Sequence, residues 1–134
     1  MPDSLVTIGE WAFWDCTKVS VSVIPESVRV IGRVAFTCCE GIRTLIFRNG
    51  MAVIHDRTFS GCKNLERIEF HDGLEEIGDF AFARCTKLTE LHLPASVEKI
   101  GYRSFANCFS LEKVDLLSFP TIDDTAFDNC DKLR

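Results

Sequence analysis

An isoleucine returns along this chain at Ile8, Ile31, Ile54, Ile77, Ile100 and Ile122, at intervals of 23 residues four times and then 22. A fixed period of this length is the mark of a stacked coil. Each repeat is too small to bury its own apolar face and must bury it against its neighbours. The periodicity therefore excludes a conventional domain with one core set apart from its surface elements, and it makes every repeat a ruler for the others.

Further columns recur with the isoleucine. Phenylalanine follows five places on, at Phe13, Phe36, Phe59, Phe82, Phe105 and Phe127. A small residue precedes it each time, as Ala12, Ala35, Thr58, Ala81, Ser104 and Ala126, leaving room for the ring beside the next coil's backbone. Cysteine comes three places after the phenylalanine, at Cys16, Cys39, Cys62, Cys85, Cys108 and Cys130. Aliphatic residues then recur at Val19, Ile42, Leu65, Leu88, Leu111 and Leu133, and again at Leu45, Ile68, Leu91 and Val114, a ladder that Ser22 breaks. The last column is Ile24, Phe47, Phe70, Leu93 and Leu116.

The spacing changes character within each repeat. From Ile77 to Leu88 the apolar positions fall at intervals of four, one, three and three, which predicts a short helix or helical turn. Across Leu88 to Leu93 the chain ends in the period-two alternation of a half-buried strand. Pro2, Pro25 and Pro94 share the column just past that strand, where no ladder donor is lost. The expected class is α/β, with a single parallel β-sheet on one face of the solenoid and short helices or helical turns on the other.

The consensus assembled from these columns, I-G-x-x-A-F-x-x-C-x-x-L-x-x-L-x-L-P-x-S-V, resembles the BspA-like class of leucine-rich repeats, and it covers nearly the whole chain. It departs from the pattern where His55 and Thr58 replace the glycine and alanine, and around Leu117 to Pro120, where the fifth repeat is one residue short. The resemblance implies a leucine-rich-repeat solenoid. It also implies a surface or adhesion-type binding protein of bacteria or protists, at the cell surface or secreted, with no catalytic motif belonging to the class.

With 134 residues the chain is expected to be one array, 1–134, of about five coils. It opens on Pro2 to Thr7, which aligns with Pro94 to Lys99, and closes at Leu133-Arg134 within a repeat, so it reads as a piece of a longer array. Uncovered columns at Leu5, Ile8, Ile122, Phe127 and Leu133 would then favour self-association. The balance of 15 Lys+Arg against 20 Asp+Glu gives a net charge of −5, which argues against a nucleic-acid partner. No apolar run reaches the roughly 18 residues that membrane insertion by a helix needs. No basic segment followed by an apolar one opens the chain, so the sequence itself specifies no compartment.

Seven cysteines cannot form a complete disulfide framework, and the ladder cysteines are expected to act as small buried hydrophobes. Cys38 lies outside the ladder, in a column shared with Asp15, Gly61, Arg84 and Asn107, and is expected to be exposed. No phosphate-binding loop, metal-ligand spacing or nucleophile motif occurs, so the sequence offers no catalytic residues, no metal ligands and no cofactor. Trp11 and Trp14 stand in columns occupied elsewhere by other residue types. They are read as an aromatic anchor for a partner, as packing against a preceding coil, or as ordinary partly exposed aromatics.

One column varies while those beside it stay aliphatic: Val23, Ile46, Glu69, His92 and Asp115, facing outward from the strands. Equivalent positions on adjacent parallel strands lie about 4.8 Å apart, so His92 is expected between Glu69 and Asp115, with His71 alongside. Val23 and Ile46 would add apolar contact. These six residues form the candidate binding site, for a protein partner or a glycan. The competing class of function is architectural, a spacer or self-assembling segment of a longer repeat protein; reading the flanking sequence would separate the two.

Overall fold

The computed structural model describes residues 2–48 and 51–133. Each coil contributes two short strands. The strand-face ladder consists of β2 (Val23–Ile24), β4 (Thr44–Phe47), β6 (Arg67–Glu69), β8 (Glu90–Leu93) and β10 (Lys113–Leu116). At each isoleucine lies a second, two-residue strand: β1 (Thr7–Ile8), β3 (Val30–Ile31), β5 (Val53–Ile54), β7 (Glu76–Ile77), β9 (Lys99–Ile100) and β11 (Thr121–Ile122). All pairings are parallel and join residues one repeat apart, as in Val23↔Ile46, Ile46↔Glu69 and His92↔Asp115. The expectation of a single sheet is corrected. The isoleucines do not merely fill the interior; their backbone forms a ladder of its own, in the order β5-β7-β9-β11 with β1-β3 beside it.

The helical side is corrected as well, since no helix occurs among the described residues. The reason lies in where the backbone N–H groups point. In a helix all of them run one way along the axis to carbonyls four residues back. Here they alternate. Phe80, Phe82 and Arg84 donate to Tyr102, Ser104 and Ala106 of the next coil at 2.8–2.9 Å, whereas Ala81, Ala83 and Cys85 close tight turns onto Gly78, Phe80 and Phe82. The same alternation recurs at Trp11 to Cys16, Val34 to Cys39 and Arg57 to Cys62. It requires a left-handed residue at two columns per coil. Trp11, Val34, Arg57, Phe80 and Arg103 have φ between 49° and 63°, and Asp15, Cys38, Arg84, Asn107 and Asn129 have φ between 55° and 62°. For residues other than glycine this costs on the order of 1–2 kcal/mol each. Hydrogen bonds to the next coil offset it.

The interior is a set of columns continuous from coil to coil. Phe36, Phe59, Phe82 and Phe105 are fully buried and stack on one another at 5.4 Å with nearly parallel planes. Phe13 stacks on Phe36 at 5.1 Å and Phe127 on Phe105 at 5.4 Å. A shorter aromatic pair, Phe47 and Phe70, meets Phe59 and Phe82 edge-on. Cysteine rather than alanine suits the neighbouring column because its S–H is a weak donor. Cys39, Cys62, Cys85, Cys108 and Cys130 each point Sγ at the carbonyl of the phenylalanine in the preceding coil, at 3.0–3.5 Å. The two hydroxyls in the small-residue column are satisfied locally, Thr58 on the His55 carbonyl and Ser104 on the Gly101 carbonyl, both at 2.8 Å.

Cys38, expected on the exposed surface, is half-buried. Its left-handed backbone lays Sγ over the next coil at Gly61, where a Cβ would lie 3.0 Å from the sulfur. Gly61 therefore has two reasons to be glycine, this contact and its own φ of 73°.

Candidate functional site

Because side chains alternate across a strand, the residues between the buried Leu45, Ile68, Leu91 and Leu93 must face outward. Parallel register then sets them side by side. Val23 pairs with Ile46 and Ile46 with Glu69, and farther along His92 pairs with Asp115. Between β6 and β8 the hydrogen-bonded ladder is interrupted although the strands remain neighbours. A shallow depression of about 680 Å³ lies there, lined in part by Arg67, Glu69, Glu90 and His92.

The imidazole of His92 is held at both nitrogens. Nδ1 lies 2.7 Å from Oδ2 of Asp115 on the adjacent strand, and Nε2 lies 3.0 Å from Oε2 of Glu90, two residues earlier on its own strand. Glu69 is not the second partner. It turns instead to Arg67, with which it forms an ion pair and hydrogen bond. Lys113 Nζ approaches the same Asp115 oxygen at 3.7 Å. His71 is not drawn into this network either: its ring contacts the Asp72 carbonyl and shields Gly73. Of the six expected residues, Val23, Ile46 and Glu69 share one register line and His92 and Asp115 another, on the far side of the interruption between β6 and β8, and only His92 and Asp115 are hydrogen-bonded to each other.

Arg67 and Glu90 were missed by sequence reasoning. Both have the same outward parity as Glu69 and His92, two places along the strand, so the signal was present. A column defined by one position per repeat passes over the neighbour that completes the pair.

Little here suits covalent chemistry. Burial pushes the Cys39 thiol up to about 11 and that of Cys85 up to about 12, so both stay protonated near neutrality, and a protonated thiol is a poor nucleophile. At the last coil the Cys108 thiol, hydrogen-bonded to Cys130, is raised by that contact and by burial, while the Cys130 thiol is lowered by the same hydrogen bond. Among the described residues no cluster of three or more His, Cys, Asp or Glu is placed to hold a metal ion. The strand face carries apolar side chains at Val23 and Ile46 and oriented charged groups from Arg67 to Asp115.

Residues 6–134 match the BspA type leucine-rich repeat region in six copies. A search of curated proteins returned no match. Among solved structures, a leucine-rich repeat protein from Bacteroides ovatus is 34% identical, with a TM-score of 0.87 over 98% of this chain and 34% of its own. A leucine-rich cell surface protein from Faecalibacterium prausnitzii is 29% identical with a TM-score of 0.82, over 89% of this chain and 31% of that one. A leucine-rich repeat protein from Eubacterium ventriosum is 26% identical with a TM-score of 0.83, over 96% and 35%. This chain spans about a third of the length of each.

Proposed function

The chain belongs to the BspA-type leucine-rich repeat family, and on that premise we propose that it is a non-enzymatic binding module that recognises a protein partner through its strand face, in the manner of a cell-surface adhesion protein. One observation carries the reading: outward side chains set side by side on neighbouring strands in two register lines, Val23, Ile46 and Glu69 and then His92 and Asp115, over continuous buried columns. Apolar residues at one end and a hydrogen-bonded carboxylate–imidazole–carboxylate group at the other give a partner two kinds of contact at fixed spacing. Such variety over a uniform interior is how repeat solenoids build extended recognition surfaces. A structural neighbour described as a cell surface protein supports the same reading.

The test is binding of the purified chain to a panel of extracellular proteins and glycans, with Ile46→Asp and His92→Ala run beside the natural sequence. The expected result is a protein ligand whose affinity falls tenfold or more in both variants while their thermal unfolding stays that of the natural chain. A ligand bound equally by all three would place recognition off the strand face.

A further inference from the structure

The opposite side of each coil, the turn face, carries an arrangement that strand-face binding does not use. Three coils contribute to it. The Arg57 guanidinium lies over the Phe80 ring, 4.7 Å from its centroid; Phe80 meets Tyr102 edge-on at 5.4 Å; and the Arg103 guanidinium lies 5.4 Å from the Tyr102 centroid. Cation, ring, ring and cation thus form one continuous strip. Three of its members, Arg57, Phe80 and Arg103, occupy a left-handed column where glycine or asparagine would be the less strained residue. Packing does not call for the two cations: Arg57 and Arg103 are exposed, as is Tyr102, while Phe80 is half-buried. In the first coil the same side carries Trp11 and Trp14, in edge contact at 5.9 Å and each more than half exposed.

The turn face is basic only in its central part, where four arginines stand against Asp56 and Asp79; Glu10 and Asp15 in the first coil and Asp123, Asp124 and Asp128 in the last are acidic. The net charge is −5, yet the turn segments of the second to fifth coils carry Arg33, Arg57, Arg84 and Arg103. Among the described residues Arg33, Arg57 and Arg84 meet no carboxylate, and Arg103 reaches only Asp128, at 3.8 Å. The nearby acids are partly engaged. Asp56 Oδ1 accepts the Asp79 N–H and Asp79 Oδ1 accepts the Tyr102 N–H, both at 2.8 Å.

We propose that the turn face is a second docking surface, for an extended acidic peptide segment of a protein partner, held by Arg57 and Arg103 with Phe80 and Tyr102 beneath them. A guanidinium laid on a ring keeps its N–H edges free for a carboxylate fork. The rings are covered by those guanidinium groups, which disfavours a sugar stacked on an open aromatic face and favours carboxylates meeting guanidinium edges. Stacked phenylalanines lie 5.4 Å apart from coil to coil, so columns two coils apart, such as those of Arg57 and Arg103, are separated by about 11 Å. A peptide in the polyproline II conformation brings every third side chain back to the same face about 9 Å farther on, and the length of the arginine side chains takes up the remainder. Acidic residues at every third position fit the strip. The surrounding aromatic residues accept apolar side chains between them.

Fluorescence anisotropy with a labelled synthetic peptide bearing glutamate at every third residue, beside the same peptide with glutamine, tests the proposal at low and at physiological salt. The expected result is saturable binding of the glutamate peptide only, weakened by salt, and reduced tenfold or more by Arg57→Gln with Arg103→Gln. Arg57→Lys should recover part of the loss, since the charge returns without the planar fork. Arg43→Gln with Lys99→Gln removes the same two charges, where Arg43 pairs with Glu66 at 3.6 Å and Lys99 with Glu76 at 3.4 Å, and should leave binding unchanged. The proposal is overturned by no binding at low salt, by equal loss in the variant lacking Arg43 and Lys99, or by tighter binding of a uronate oligosaccharide of the same charge, which would make the occupant a glycan. Thermal unfolding of each variant shows that the comparison is made between folded chains.

Discussion

The first coil, Ile8 to Val30, and the fourth, Ile77 to Lys99, are built on the same columns and pack to different depths. In the fourth, Phe82, Cys85, Leu88 and Leu91 are wholly buried, and the strand-face element runs for four residues, Glu90–Leu93. In the first, Phe13, Cys16 and Val19 are only half-buried, Ser22 stands where the others place an aliphatic residue, and the strand shrinks to Val23–Ile24. Phe82 has a parallel ring on either side, Phe59 and Phe105, whereas among the described residues Phe13 stacks on Phe36 alone. A column residue is thus buried by its neighbours in the stack rather than by its own coil. The same amino acid contributes differently according to how many sides are covered.

The largest effect that could break this comparison is truncation of the spine. Phe82→Ala should cost about 3–5 kcal/mol in a urea melt, because it removes a fully buried ring and opens a cavity between two stacked rings. Phe13→Ala should cost about 2 kcal/mol or less, since that ring is already partly in water. Equal losses at the two sites would mean that stacking from both sides adds nothing.

Next in size is the response to alkali, which should be concentrated in the central coils. Burial raises the Cys39 thiol to about 11 and the Cys85 thiol to about 12, from an ordinary 9.0, and raises that of Cys62 in the same direction. A group that holds its proton more tightly when folded stabilises the fold fully below its unfolded value. That contribution is lost as pH rises through the folded one. Stability should therefore hold to about pH 9 and fall progressively towards pH 11–12, each tenfold of proton affinity being worth about 1.4 kcal/mol. Urea midpoints collected from pH 8 to 11 should fall less steeply for Cys85→Ala than for the natural chain. Parallel curves would show that the buried thiols do not carry the effect.

Thiol access sharpens the same contrast. A bulky alkylating reagent should modify Cys16 and Cys38, both half-buried, well before Cys39, Cys62, Cys85 and Cys108, which have no exposed surface. Mass spectrometry after brief labelling would read the order directly. Labelling of Cys85 as fast as Cys16 would imply that the central coils open as readily as the first.

How much of this the sequence disclosed depended on which physical signal each column carried. The strand ladder was legible at β4 and β8 because period-two burial leaves an unmistakable alternation, as in Glu90-Leu91-His92-Leu93. The phenylalanine and cysteine columns were legible because they repeat. The turn face was misread as helical, since spacings of four, one, three and three arise equally from consecutive tight turns. Glycine or asparagine would have flagged the left-handed positions, but one of those columns holds Trp11, Val34, Arg57, Phe80 and Arg103. Of the strand-face site, the pairing of His92 with Asp115 followed from register, while the choice of Glu90 over Glu69 as the other partner of His92 depended on side-chain reach. Reach within a strand is not written in a repeat period.

The smallest expected effect separates what holds the fourth coil together from what that coil presents. His92 sits in the same strand as Leu91 and Leu93, yet its side chain is 53% exposed and its partners Glu90 and Asp115 are 56% and 42% exposed. Ion pairs so open to solvent contribute about 0–1 kcal/mol, because water screens them and ordering the side chains costs entropy. His92→Ala should therefore change the urea midpoint by little, within about 0.5 kcal/mol, whereas Leu91→Ala one position away should cost about 2–5 kcal/mol. A large loss in the histidine variant would mean that the carboxylate–imidazole group clamps β8 to β10 rather than facing a partner, and the strand-face reading of function would lose its main support.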